Sequence, residues 1–119
     1  GILHALLGIE TFDELFGNPV FGSSWEGYAI ENIIAAYPRW KYFFYRTTNG
    51  AEMDLVLEKG NKKIAFEFKA SVAPKLSQGF WNAVEDINPE ITYVVIPEGE
   101  QYSVKDNVTV ISLNAFSKR

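Results

Sequence analysis

The hydrophobic pattern of the chain changes period several times, and each change marks an element. Residues 2–7, Ile-Leu-His-Ala-Leu-Leu, predict a short apolar helix that Gly8 ends. A second short helix is predicted from Thr11 as N-cap, with Glu14 three residues on as the capping-box partner and Gly17 as the stop. Asn18-Pro19 and Gly22-Ser23-Ser24 read as a linker, so residues 1–22 are expected to be a helical lead-in from a missing upstream region. The domain proper is expected over 23–119. From Ser24 to Tyr37 the period is helical, and Pro38 closes it. Three strands are predicted next, at 41–47, 51–58 and 63–69, joined through Thr48-Asn49-Gly50 and through Lys59-Gly60-Asn61-Lys62. Such short connections imply an antiparallel meander. A helix over 75–87, an apolar strand over 91–97, a polar connection and a strand over 108–113 complete the chain.

This α-β-β-β-α-β order with a final strand implies an α/β fold, a mixed central sheet flanked by helices. Within it, two strands carry charge on one face. In the run 51–58, Met53, Leu55 and Leu57 alternate with Glu52, Asp54, Val56 and Glu58. In the run 63–69, Ile64, Phe66 and Phe68 oppose Ala65, Glu67 and Lys69. The first long helix adds a third acid. At ~100° per residue, Ile33, Tyr37 and Ile30 fall within ~40° of Glu26, whereas Glu31 lies ~140° away. Glu26 therefore belongs to the apolar stripe and Glu31 to the wet side.

Composition narrows the class. The chain has 119 residues, 47% of them hydrophobic, which suits one domain with a real core. It has no cysteine, which removes disulfides and thiolate metal sites. No apolar run reaches the ~20 residues of a membrane span, and a cytoplasmic location without membrane contact is expected. The net charge of −4 disfavours strong nonspecific binding to a polyanion. DNA binding would need a local basic patch or a partner.

The charged residues admit two readings. Glu67 and Lys69 are either an exposed ion pair, worth ~0–1 kcal/mol, or half of a site built on hard oxygen ligands. Asp54 favours the second, because a four-residue turn places it near Glu67 on the adjacent strand. Glu26 favours it again, since an unpaired carboxylate on an apolar stripe is costly without a cation. The helix dipole offers Glu26 an alternative account, as an acid favoured at the first turn. Glu52 reads as an auxiliary acid or an edge-strand charge, and Gln78 as an accessory polar residue or an ordinary surface glutamine. Trp25, Trp40, Trp81 and Phe43-Phe44-Tyr45 read as core rather than as base-stacking platforms. Arg39, Lys41 and Arg46 form a modest basic cluster, and Lys62, Lys63, Lys69 and Lys75 a scatter. His4 reads as a packed or surface histidine.

A helix acid followed by Asp54 and then Glu67-x-Lys69 on successive strands resembles the PD-(D/E)xK, restriction-endonuclease-like nuclease superfamily. The resemblance implies an αβββαβ core and Mg²⁺ or Mn²⁺ held by Asp54, Glu67 and Glu26. It also implies Lys69 assisting the water that attacks a nucleic-acid phosphodiester. Met53 stands where that pattern often has proline. Over nearly the whole chain, "GILHALLGI", "NPVFGSSWEGYAIENII", "YRTTNGAEMDLVLE" and "FEFKAS" are similar to a C-terminal domain of unknown function that follows an AAA-type ATPase domain in prokaryotic proteins. That implies an upstream ATPase domain in the same polypeptide as a partner. The chain itself has no GxxxxGK[ST] loop. The alternative implied is a catalytically inactive nuclease-fold module that binds nucleic acid, a protein or its own ATPase domain.

Overall fold

A computed structural model describes residues 19–118, with the side chains of residues 19–21 and 23 outside the description. The lead-in helices expected at 2–7 and 11–17, with His4, lie outside it. Helix α1 (Pro19–Ala36) is followed by strands β1 (Lys41–Arg46), β2 (Glu52–Lys59) and β3 (Lys62–Phe68). Helix α2 (Gln78–Ile87) leads to β4 (Ile91–Ile96), β5 (Tyr102–Lys105), β6 (Val108–Ser112) and the short α3 (Leu113–Ser117). The six strands form one mixed sheet in the order β1-β2-β3-β4-β6-β5. The expected meander is present: β1 pairs with β2 and β2 with β3, both antiparallel. β4 then joins β3 in parallel across α2, and β6 joins β4 in parallel.

Helices cover both faces. Against α1 and α3 lie Leu55, Leu57, Phe66, Phe68, Tyr93, Val95 and Ile111, packed with Ala29, Ile33 and Phe116. Against α2 lie Val56, Ala65, Val94 and Val110, packed with Phe80, Ala83 and Ile87. Burying β3 and β4 on both faces explains their near-continuous apolar runs. Glu67 is the charged residue buried among them.

Four expectations need correction. The linker at Gly22-Ser23-Ser24 is not a break, since α1 runs through it from Pro19. Proline suits a first helical turn, and Gly22 is buried within the helix rather than exposed in a hinge. The second helix starts at Gln78, not Lys75, because the Ser77 hydroxyl accepts the Phe80 N–H at 3.1 Å and caps it. The polar connection contains β5, an exposed edge strand that pairs with β6, and the last strand gives way at Leu113 to α3.

The fourth correction bears on chemistry. The strict alternation expected in β2 is broken. Tyr42 pairs with Leu57 and Phe43 with Val56, but Tyr45 pairs with Met53. Phe44 thus opposes two residues, Asp54 and Leu55, which is a β-bulge. Met53 consequently packs with Val56 on the α2 side, while Leu55 and Leu57 pack on the α1 side.

Candidate metal centre

Register brings the two strand acids together. Leu55 lies opposite Phe66 and Val56 opposite Ala65, so Asp54 and Glu67 each adjoin the last pair of that register, and Glu67 feels the charge of Asp54. The turn that fixes this register is tight: Lys59 pairs with Lys62 across Gly60, whose φ of 63° is left-handed and free of strain in glycine. The bulge sits at Asp54, and bulges re-aim side chains. Asp54 Oδ2 accepts the backbone N–H of Phe68 at 2.8 Å. The carboxylate of Asp54 therefore ties the end of β3 to β2, where the backbone N–H of Lys69 passes to the carbonyl of Val95 at 3.0 Å.

Glu67 is only 5% exposed. Its Oε2 is 3.6 Å from Lys69 Nζ, an ion pair whose lysine stays partly in water. Its Oε1 is buried and has no hydrogen-bond partner. Burial pushes this acid up to about 8, and the charge of Asp54 adds to the rise while Lys69 opposes it. Glu26, half-buried on α1, is also raised. Burial is the larger cause and Asp54 the next, again tempered by Lys69. Glu31, on the opposite side of the same helix, is exposed as expected.

The four expected residues thus share one electrostatic neighbourhood, drawn from α1, β2 and the end of β3. As the side chains stand, no three acids or histidines among the described residues form a group that could hold a metal ion. Asp54 and Glu67 are adjacent, and Glu26 feels the charges of Asp54 and Lys69 from the helix. The donor chemistry nevertheless suits a hard cation, because carboxylate oxygens are what Mg²⁺ and Mn²⁺ take. Once ionised, Glu67 has a buried oxygen without a hydrogen-bond partner, which gives it an energetic reason to accept a cation.

Other residues fall elsewhere. Glu52 is exposed and pairs loosely with Arg46 at 3.6 Å. Gln78 donates to Asn82 Oδ1 at 2.9 Å on the surface of α2. Trp25 and Trp40 pack against the α1-side core and Trp81 against the α2-side core. Phe43 and Tyr45 also pack inward, but Phe44 is exposed, so the core expectation fails for that ring. Sequence reasoning overlooked the bulge and the Phe68 amide contact. The three consecutive apolar residues Leu55-Val56-Leu57 signal a strand buried on both faces, and nothing in the spacing signals the bulge.

Residues 21–116 match the family described as Domain of unknown function (DUF4143). The chain belongs to that family. It is also 32% identical over 111 residues to an uncharacterised protein of Mycobacterium tuberculosis and, to the same extent, to one of Mycobacterium bovis. The alignment covers 93% of this chain and 25% of each relative, so the chain spans about a quarter of their length. No solved structure matches it significantly. The DUF4143 match begins inside α1 and ends inside α3, and it encloses Glu26, Asp54, Glu67 and Lys69. No helix among the described residues is long and apolar enough to cross a membrane.

Proposed function

We propose that this DUF4143 domain is a divalent-metal-dependent, nuclease-like module acting on nucleic-acid phosphodiesters, within a larger prokaryotic protein that carries an AAA-type ATPase domain. The observation that carries the reading is Glu67: a buried carboxylate, with one oxygen unpartnered, set beside Asp54 and within ion-pair distance of Lys69. Mg²⁺ or Mn²⁺ would be held by Asp54, Glu67 and Glu26, and when bound would supply Lewis acidity toward the phosphoryl oxygens and a more acidic water. The chain's own residues would do the rest. Lys69 holds the Glu67 carboxylate and has partial access to solvent, so its ammonium can orient an attacking water and offset charge growing on the phosphorus oxygens. Phe68, through its amide, holds Asp54 in place.

The test is calorimetric titration with Mn²⁺, together with cleavage assays on the wild type, Asp54→Ala and Lys69→Ala with the upstream ATPase domain present. Metal binding lost in Asp54→Ala, and cleavage lost in both variants, is the expected result. Absence of both signals in the wild type refutes the reading.

One observation favours a second reading. Asp54 spends an oxygen on a backbone amide, and among the described residues the acids do not stand as a ready three-ligand group. A catalytically inactive module that binds nucleic acid, a protein or its own ATPase domain accounts for that arrangement. It predicts partner binding that persists in Asp54→Ala.

A further inference from the structure

Two aromatic side chains stand exposed on the edge strand β1. Tyr42 is 53% and Phe44 63% exposed. They are two residues apart and so share one face of the strand. Their ring centroids are 6.2 Å apart at an interplanar angle of 62°. That spacing exceeds the ~3.4 Å rise of stacked nucleotides in a duplex. The rings meet edge to face rather than as a stacked pair, and both stay more than half exposed, an arrangement suited to splayed bases.

Charge surrounds the pair in an uneven way. The chain is acidic overall, yet four of its eleven Lys and Arg residues, Lys41, Lys59, Lys62 and Lys63, meet at one corner of the sheet, with Arg39 two residues before Lys41. Lys41 pairs across to Glu58, Glu58 to Lys63, and Lys59 to Lys62. The acids there are Glu58, held loosely by Lys63 at 3.9 Å, and Glu90, whose amide meets the Lys63 carbonyl. Lys41 and Lys63 share the face of Glu58, opposite to Tyr42, so the cations on the face of the rings are Lys59 and Lys62. Because Tyr42 pairs with Leu57, the alternation of β2 puts Lys59, and Lys62 opposite it, on the face that carries Tyr42.

The far end of the same edge meets Asp54. Phe44 is the β1 residue opposite the bulge at Asp54-Leu55. From Lys59 to Asp54 is five residues of β2, ~16 Å at ~3.3 Å per residue. One edge thus carries a cationic corner, two exposed rings on the α1 side and, at its far end, the bulge at Asp54, while Glu67 and Lys69 stand on the other face of the sheet. A second copy of the chain is a poor occupant, since antiparallel self-pairing of β1 would set Lys41 against Arg46 of the other copy.

We propose that this face of β1 binds unpaired nucleic acid, with Tyr42 and Phe44 stacking on bases and Lys59 and Lys62 contacting phosphates. The substrate class of the proposed phosphodiester chemistry would then be single-stranded; the binding itself does not rest on that chemistry.

The experiment is fluorescence anisotropy of the full chain with labelled oligo-dT, oligo-U and a duplex of equal length, in EDTA at low salt. Excluding metal separates this proposal from the nuclease reading, which can fail while binding persists. Single strands are expected to bind more tightly than duplex, and the DNA and RNA arms identify the sugar preferred. Tyr42→Ser and Phe44→Ser are each expected to weaken binding on the order of tenfold, with unchanged thermal unfolding because both rings are exposed. Lys59→Gln combined with Lys62→Gln is expected to lower the slope of log affinity against log salt by about 1.4, at ~0.7 per phosphate. No oligonucleotide binding, equal binding in Tyr42→Ser/Phe44→Ser, or equal affinity for duplex overturns the proposal. So does self-association that the double serine variant abolishes in the absence of nucleic-acid binding.

Discussion

Replacing Glu67 by glutamine tests the electrostatics of the site without any assumption about catalysis. The folded chain raises this acid from 4.5 to about 8, with burial as the main cause. In the unfolded chain the carboxyl returns to ordinary values near 4.5, so above that pH the folded state binds the proton more tightly. Stability then falls as pH rises from about 4.5 toward 8, and levels off once the proton is lost from both states. At 1.36 kcal/mol per pH unit, the full window is worth up to roughly 5 kcal/mol, a large share of the ~5–15 kcal/mol that holds a typical domain together. Relaxation around an ionised Glu67, with Lys69 3.6 Å away to receive it, makes the observable part smaller, on the order of 2–4 kcal/mol.

The amide of Glu67→Gln keeps the shape of the side chain and abolishes the titration. Urea unfolding of wild type and variant, from pH ~5 to ~9 at fixed ionic strength in EDTA, should give similar midpoints at the acid end. The curves should then diverge, the variant being the more stable by several kcal/mol near pH ~8.5. Parallel pH profiles would refute the reasoning, because they would mean that Glu67 gains no proton affinity on folding. Adding Mn²⁺ to the wild type at high pH should recover stability, if the ion takes the place of the proton, and should do little for Glu67→Gln.

Further outcomes follow from single contacts. Lys69→Met removes the one charge that lowers the Glu67 titration, so the carboxyl resonance of Glu67 followed by ¹³C NMR should titrate at higher pH than in the wild type. Gly79→Ala should destabilise by about 1–3 kcal/mol in thermal unfolding, because a Cβ there would collide with the carbonyl oxygen of Gly50. Gly27→Ala, in helix α1 with open space around its Cα, should be neutral or stabilise by about 0.5–1 kcal/mol in the same assay. Ser77→Ala should cost about 1 kcal/mol, read by the same melt, through loss of the hydroxyl that caps α2.

Most of the architecture was legible because its elements bury residues with a clean period. Leu76, Phe80, Ala83, Val84 and Ile87 mark α2 by helical spacing, and Ile91–Ile96 marks a strand wrapped on both sides. What the pattern missed lacks burial. β5 is exposed at every residue and is held by its backbone ladder to β6, so no apolar signal announces it. Likewise Gly22, Ser23 and Ser24 have the composition of a linker, yet the helix runs through them with Gly22 buried. Composition reports what a segment can do in isolation; neighbours decided these cases.

The candidate site divides along the same line. Asp54 and Glu67 could be paired from sequence, because a short turn converts chain spacing into register, and the pairing Lys59↔Lys62 fixes it. Glu26 could be assigned to the inner stripe of its helix, and its half-burial agrees. The bulge was beyond such arithmetic: the register with β3 runs from Lys59 to Leu55, and there one extra residue in β2 shifts the pairing with β1. Its consequence is local and chemical. Between Met53, which packs toward α2, and Leu55, which packs toward α1, the chain changes phase at Asp54. An acid at that point can reach the Phe68 amide and still bear on Glu67 and Glu26, and the same irregularity leaves Phe44 across from it. A regular strand would fix the face of Asp54 by parity alone. The bulge instead lets one residue bear on both the buried Glu67 and the helix acid.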